Sequence, residues 1–405
     1  MPRFVEGKQL ILILLGFCGP VLIWGCQPQE TTQGETEQRL SAECVQDYDP
    51  EKNYFRDRTQ PEYATGFSVT YHNHYKIVTV RNPWQDTDET FQYLLVQCGT
   101  PVPEGYEQMQ VIKIPIQSVV TLSTTHLPHL DRLGVIDRLL GVSRFSIVNT
   151  ATVQSKIEEG KLLEVGSGNT LNLERLVEQS PDLILTYGTG NPEFDRHQQM
   201  QSAGLSVAIV AEYMESSPLG RAEWIKFTAL FFNQEAKAEA IFTKIAAQYE
   251  MLTQLTENIE DRPTVLTGFS YEGTWYVAGA ESYVGQFLRD AGANYLWSDL
   301  DIAGSSPKDF EAVFARAKDA EYWLNVSQDW QSREDMVAAD ARYQMFTALQ
   351  EDRVFNNTAR LSPQGGNDYW ETGMLEPDQV LADLIAILHP QLLPDRELKY
   401  YQKLD

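Results

Sequence analysis

Histidine and cysteine are scarce in this chain, six and four residues among 405. No loop is rich in histidine, and His126 and His129 are the sole pair at metal-ligand spacing, so neither a structural zinc site nor a carrier of bare metal ions is indicated. Basic residues are also few, 32 Lys and Arg against 57 Asp and Glu, for a formal charge of −25. A surface of that sign repels phosphate backbones, which excludes nucleic acid as a partner and adhesion to anionic lipid through charge. There is no Gly-x-Ser-x-Gly elbow and no P-loop, and Gly188-Thr-Gly190 alone is a weak phosphate signal. Nothing in the motifs requires an enzyme.

The one long apolar run is Leu10 to Trp24, broken by Gly16, Gly19 and Pro20 and preceded by Arg3 and Lys8. It is too short and too interrupted to span a bilayer, and residues 1–25 read as an export signal. The run ends in Ile23-Trp24-Gly25-Cys26, which resembles the bacterial lipobox. That resemblance implies that Cys26 is diacylated and becomes the mature N-terminus, although Trp24 stands where the pattern prefers a small or β-branched residue. The polar tract Gln27 to Ser41 has no hydrophobic period, so residues 26–60 are expected to tether a domain to the membrane by acyl chains. The chain then belongs to the cell envelope, at the periplasmic face of the inner membrane. Cys18 leaves with the signal and Cys26 carries lipid, which leaves Cys44 and Cys98 in an oxidising compartment. A disulfide between them is expected; a metal or catalytic thiol would need close Cys/His partners that are missing.

Short alternating segments, Phe67 to Tyr71, Lys76 to Val80, Phe91 to Val96 and Val111 to Ile114, predict a small antiparallel β unit over residues 61–116. From Ser118 strands alternate with helices, the signature of a parallel α/β sheet. Residues 117–215 form one Rossmann-like lobe and residues 263–405 a second, the latter including Trp275-Tyr-Val277, Tyr322 to Val326 and Arg353 to Phe355. Between them, within residues 216–262, the stretch from Arg221 to Glu260 carries Ile241, Ile245, Tyr249, Leu252, Leu255 and Ile259 at helical spacing. A single long helix joining the lobes is expected, and with it little closure.

Ser118-Val-Val-Thr-Leu-Ser-Thr-Thr-His126, Leu140-Gly-Val-Ser143, Asn172-Leu-Glu-Arg-Leu176 and Ser180-Pro-Asp-Leu-Ile-Leu185 together resemble the N-terminal lobe of class III periplasmic binding proteins. Trp275-Tyr-Val-Ala-Gly279, Ala291-Gly-Ala-Asn294, Phe310-Glu-Ala-Val313 and Pro377-Asp-Gln-Val-Leu-Ala-Asp-Leu384 continue the resemblance in order through the second lobe, so that it covers about residues 118–400. It implies a monomeric substrate-binding lipoprotein that takes an iron chelate (ferric siderophore, ferric citrate or haem) or a corrinoid and delivers it to the permease dimer and ATPase of an ABC importer. No resident cofactor or metal is implied beyond iron or cobalt in the ligand. Glu174 and Glu311 match the surface glutamates, one per lobe, that dock on permease arginines.

Ligand contacts are expected from loops at the carboxyl ends of the strands. On the first lobe these offer Thr124, Thr125, His126, Arg144 and Tyr187; on the second, Trp275, Trp330, Arg360 and Trp370. Aromatic faces suit a large flat ligand, and the arginines suit its carboxylates. His126 either ligates iron or cobalt or caps the helix behind it, and Trp275 with Tyr276 either stacks on ligand or fills the second core. An adhesion or scaffold lipoprotein and an enzyme on a similar two-lobe frame are the rival classes.

Overall fold

A computed structural model of the chain describes residues 44–405; the expected export signal, Cys26 and the polar tract to Ser41 lie outside the described residues. Strands β1 (Phe67–Tyr71), β2 (Tyr75–Arg81), β3 (Thr90–Gln97) and β4 (Gln110–Ile114) lie side by side in chain order. The first three are antiparallel, but β4 runs parallel to β3, with Tyr93 opposite Gln110 and Gln97 opposite Ile114. This corrects the all-antiparallel expectation: residues 98–109 are long enough for a parallel return. Tyr93, Leu94, Leu95 and Val96 are thereby buried at the unit's centre. Cys98 is bonded to Cys44, with Cα atoms 4.8 Å apart.

The next sheet is all parallel and carries β5 (Val119–Thr121), β6 (Leu139–Val142), β7 (Leu163–Glu164), β8 (Leu183–Thr186) and β9 (Val207–Ile209) in the order β7-β6-β5-β8-β9. Helices α1 (Leu127–Arg132), α2 (Ala151–Glu158), α3 (Leu173–Gln179) and α4 (His197–Ser202) connect them. Strand order reverses between β5 and β8, so the loops leaving their carboxyl ends diverge and open a crevice. The outer edge of β9 is closed by side chains of the β unit. Val207 N–H donates to Gln110 Oε1 (3.0 Å), Gln110 Nε2 donates to Val207 O (2.9 Å), and Ile209 N–H donates to Tyr93 Oη (2.8 Å).

The connection is two helices and not one. Helix α5 (Pro218–Leu230) and helix α6 (Glu235–Thr256) are separated at residues 231–234, where Asn233 adopts φ 54°. The reason is packing. Trp224, Ile225, Phe227, Ala229 and Leu230 bury α5 on every side, whereas α6 carries the amphipathic stripe, with Tyr249 and Leu252 buried. Leu255 is exposed and Ile259 lies beyond the helix. The β unit packs on α5 through Phe67, whose ring centroid is 5.0 Å from that of Trp224 and 5.6 Å from that of Phe227. Two buried carboxylates hold the segment before β1. Glu223 accepts from the backbone N–H groups of Glu62, Tyr63 and Ala64, and Glu215 from those of Thr65 and Gly66.

In the last lobe β10 (Thr264–Thr267), β13 (Asn294–Tyr295), β15 (Tyr322–Leu324), β16 (Val354–Asn356) and β17 (Gln402–Lys403) form a sheet ordered β13-β10-β15-β16-β17, parallel except at β17. Strands β11 (Ser270–Tyr271), β12 (Thr274–Ala278) and β14 (Ser305–Lys308) make a separate antiparallel sheet, which moves Trp275-Tyr-Val277 out of the parallel one. Helices α7 (Tyr283–Asp290), α8 (Phe310–Ala317), α9 (Arg333–Ala339), α10 (Thr347–Gln350), α11 (Thr372–Leu375) and α12 (Pro377–Leu388) complete the lobe. No helix among the described residues is long and apolar enough to cross a membrane.

The lobes also touch directly. Buried Glu371 accepts from Asn149 N–H (2.9 Å), Thr150 N–H (2.6 Å) and the Thr150 hydroxyl (2.5 Å), at the N-terminus of α2. Ser362 Oγ donates to Ser146 O (3.0 Å), and Arg132 pairs with Glu376.

Candidate functional site

Five parallel strands deliver five loops to one end of the first sheet, and a cavity of about 440 Å³ lies among them. Leu122 and Ser123 leave β5, and Ser123 caps the turn Thr124–His126 by accepting from Thr125 N–H. Ser143, Arg144 and Ile147 follow β6, Ser167 follows β7, Tyr187 and Thr189 follow β8, and Glu212 and Tyr213 follow β9. The wall is therefore hydroxyl-rich, with two tyrosine rings, an exposed guanidinium at Arg144 and one buried acid, Glu212.

A chain of hydroxyls leads to that acid. Ser123 Oγ lies 2.9 Å from Thr125 Oγ1, which donates to Glu212 Oε1 at 2.6 Å. Glu212 is 4 % exposed, and its Oε2 has no hydrogen-bond partner among the described residues. Burial pushes the carboxyl up from its ordinary range, against the Thr125 hydrogen bond, the backbone N–H groups of Glu212 and Tyr213 and the Arg221 charge. Arg221 does not bond Glu212; it donates to Glu215 O (2.7 Å) and Tyr213 O (2.9 Å) and lies 3.9 Å from the Tyr283 ring.

The rim after β8 is held from two directions. Asp195 accepts from Thr189 N–H and Gly190 N–H, both at 2.8 Å at the nearest oxygen, and Tyr213 Oη donates to Gly188 O at 2.6 Å while also approaching Pro83 O at 3.1 Å. Trp84, from the β unit, fills the space beneath. A Cβ on Gly188 would lie 2.5 Å from the Trp84 ring, and one on Gly190 2.7 Å from it, so the glycines make room for an indole and not for a phosphate.

Of the residues expected from sequence, Thr124, Thr125, Arg144 and Tyr187 meet in this cavity. His126 does not: the short turn that exposes the two threonines rotates it inward. It is fully buried, neither ring nitrogen has a partner among the described residues, and burial pushes its pKa down to about 3. It makes no side-chain cap either. Trp275 is core, stacked 5.6 Å from Trp323 and donating Nε1–H to Thr267 O at 2.9 Å, because its strand turns that face onto α8 and the Tyr343–Phe346 cluster. Tyr276, the alternate residue, is exposed. Trp330 packs on Phe269 and Tyr343, Arg360 is paired with Asp368 at 2.6 Å, and Trp370 stands edge-on to Tyr369 and half exposed; none lines the cavity. No second-lobe residue lines this cavity; Gly366 packs on the backbone of its wall residue Ile147, where a Cβ would lie 2.4 Å from Ile147 O. Glu174 and Glu311 sit exposed in the first turns of α3 and α8, and Glu311 lies 3.4 Å from Arg342. The sequence reading missed Glu212 and Tyr213, although the rule that located Tyr187, the loop at a strand's carboxyl end, applies equally to Val207 to Val210.

A parallel sheet with its cavity at a topological switch point, followed by a second α/β lobe, is the architecture of a solute-binding protein. The chain belongs to the periplasmic binding protein family, whose model matches residues 119–361; family and fold are those of substrate-binding proteins and not of enzymes. It is 28% identical over 332 residues to an uncharacterized lipoprotein of Methanocaldococcus jannaschii, covering 77% of this chain and 76% of that protein. A cobalamin-binding protein of Halobacterium salinarum is 23% identical over 220 residues, 53% of this chain and 56% of that one. Among solved structures, a periplasmic heme binding protein from Pseudomonas aeruginosa superimposes with a TM-score of 0.52 at 18% identity, covering 72% of this chain and 98% of its own.

Proposed function

We propose that this chain is the substrate-binding lipoprotein of an ABC importer and that it captures a bulky metal chelate, a corrinoid before an iron chelate. The observation that carries the reading is the cavity where the strand order reverses, walled by hydroxyls and two tyrosines with Arg144 at its mouth. Its volume is that of a small-molecule site and holds one edge of a macrocycle, with the rest projecting outward. Similarity to the Halobacterium cobalamin-binding protein supports the corrinoid. Tyr187 and Tyr213 offer faces for stacking, and Arg144 a cation for a phosphodiester or propionate. Glu174 and Glu311, one charge on each lobe, are the permease-docking pair, and Cys26 is the lipid anchor.

Calorimetric titration of the mature protein with cyanocobalamin, haemin, ferric citrate and a ferric hydroxamate tests this, with leucine and glucose as controls. Cyanocobalamin should bind at micromolar concentration or below and raise the melting temperature. Binding of a control alone, or of nothing by ligand-free protein, overturns the reading.

A further inference from the structure

We propose that Trp84 of the β unit is a positioning residue for the ligand. By filling the space behind the loop that leaves β8, it sets the places of Tyr187, Thr189 and Tyr213 on the cavity wall, which makes the β unit a working part of the binding site. The inference rests on the reading that the cavity is the chelate site. Its own basis is the alternation of residues along that loop. Tyr187 and Thr189 line the cavity. Gly188 and Gly190 face the other way, onto the indole: a Cβ on Gly188 would lie 2.5 and 2.6 Å from Cε3 and Cζ3, and one on Gly190 2.7 and 3.1 Å from Cδ1 and Nε1. The loop thus spans the indole from its six-membered to its five-membered ring, and a single thickness of backbone separates that ring system from the cavity.

Trp84 itself has little freedom. It is 8 % exposed, and its ring centroid lies 5.9 Å from that of Phe91, in β3, and 5.9 Å from that of His197, at the start of α4. Residues 82–89, a longer connection between β2 and β3 than a hairpin needs, carry it there. Asn82 N–H donates to Glu89 O (3.0 Å) and closes the base of that connection. Pro83 O, from the residue before Trp84, lies 3.1 Å from Tyr213 Oη, whose proton goes to the nearer Gly188 O at 2.6 Å. Both tyrosines of the wall are therefore referred to residues 83 and 84, Tyr187 through the loop that lies on the indole and Tyr213 through Gly188. Asp195 holds the same loop by hydrogen bonds from Thr189 N–H and Gly190 N–H, while the indole gives it a solid backing. Without that backing the loop samples positions in which the tyrosine faces are displaced, and affinity falls in proportion to the time spent away from the competent one.

An indole that merely fastened the β unit to the lobe would change stability and leave affinity per folded molecule alone, so the test reads affinity through a steric pair. Gly188 does not adopt the left-handed backbone, and an alanine there meets the indole without backbone strain. Wild type, Gly188→Ala, Trp84→Leu and the double variant should be titrated with cyanocobalamin, or with haemin if wild-type protein binds that instead, well below their melting temperatures. Circular dichroism and melting curves confirm that each is folded. Gly188→Ala forces the loop away from the indole, and Trp84→Leu takes its backing away. Each should weaken binding on the order of tenfold, the loss expected if the competent position is held about one tenth of the time. In the double variant the new methyl enters space that the indole has vacated, and affinity should return to within about threefold of wild type. Gly188→Ala keeps the indole and is decisive by itself if the leucine variants do not fold. Wild-type affinity in either folded single variant, or a folded double variant no tighter than the singles, overturns the proposal and leaves the chelate reading standing. Failure of wild-type protein to bind either chelate overturns both.

Discussion

Replacing Glu371 by glutamine should remove a pH dependence from the joint between the lobes. Glu371 belongs to the second lobe, is fully buried, and accepts two backbone N–H groups and a hydroxyl at the start of α2 in the first. Burial outweighs these hydrogen bonds and raises the carboxyl from 4.5 to about 7. The folded state therefore holds this proton more tightly than the unfolded one. The stabilisation is fully present below about pH 4.5 and is lost as pH rises through about 7. A shift of this size corresponds to about 3 kcal/mol, or about 4 °C in melting temperature for a chain of this length. Melting curves of wild-type and Glu371→Gln protein should be recorded from pH 4.5 to 7.5, and their difference taken so that the many other carboxylates cancel. The wild type should lose about 4 °C relative to the variant across that window. Parallel curves would show that the carboxyl does not change charge there and would refute the reasoning.

Three further outcomes follow from the geometry. Glu174→Ala with Glu311→Ala should abolish uptake of the ligand by cells while affinity in solution stays within about twofold, and each single change should do less; an equal fall in affinity would end the docking role. Trp84→Ala removes the indole beneath Gly188 and Gly190 and should cost about 3–5 kcal/mol in stability, with faster hydrogen exchange at Thr189 and Gly190, unchanged protection of those amides being the contrary result. Trp275→Ala should destabilise by a similar about 3–5 kcal/mol and leave ligand affinity per folded molecule nearly unchanged, since the ring is core; selective loss of binding at full stability would place it back in the site.

The first lobe was legible because its signals are local. Pro181-Asp182 before Leu183 to Thr186 and the Ser123 to His126 loop after a buried strand each state an element and its polarity within a few residues, and the same loops hold Thr124, Thr125 and Tyr187. Which residue of such a loop faces in is another matter. His126 differs from Thr125 by one position, and a single turn of 3₁₀ geometry separates the cavity from the core. Trp275 was ambiguous for a related reason: period two in a strand tells that Trp275 and Tyr276 face opposite ways, not which face is covered. The break between α5 and α6 was hidden because Phe231, Phe232 and Asn233 contain no glycine or proline, and the left-handed Asn233 is set by tertiary bonds, its side chain donating to Gln97 and accepting from Lys76. The rule that located Tyr187, applied to the strand Val207 to Val210, places Glu212 at the rim; its burial and its hydrogen bond from Thr125 exist only in three dimensions.

Gln110 and Tyr93 do for β9 what a sixth strand would do, yet they do it without adding a strand. An open parallel sheet ends in a row of unpaired amides that can recruit a strand from another molecule, and here three such groups are satisfied by one amide side chain and one phenol. The β unit thus covers the edge of β9 and, through Trp84, also underlies the rim of the cavity. A version of this protein trimmed to its two lobes would be expected to lose solubility before it lost its fold, with concentration-dependent aggregation beginning at residues 207–209. Gln110→Leu with Tyr93→Phe would leave these three backbone groups covered but unpaired, and should lower the melting temperature of the full-length chain.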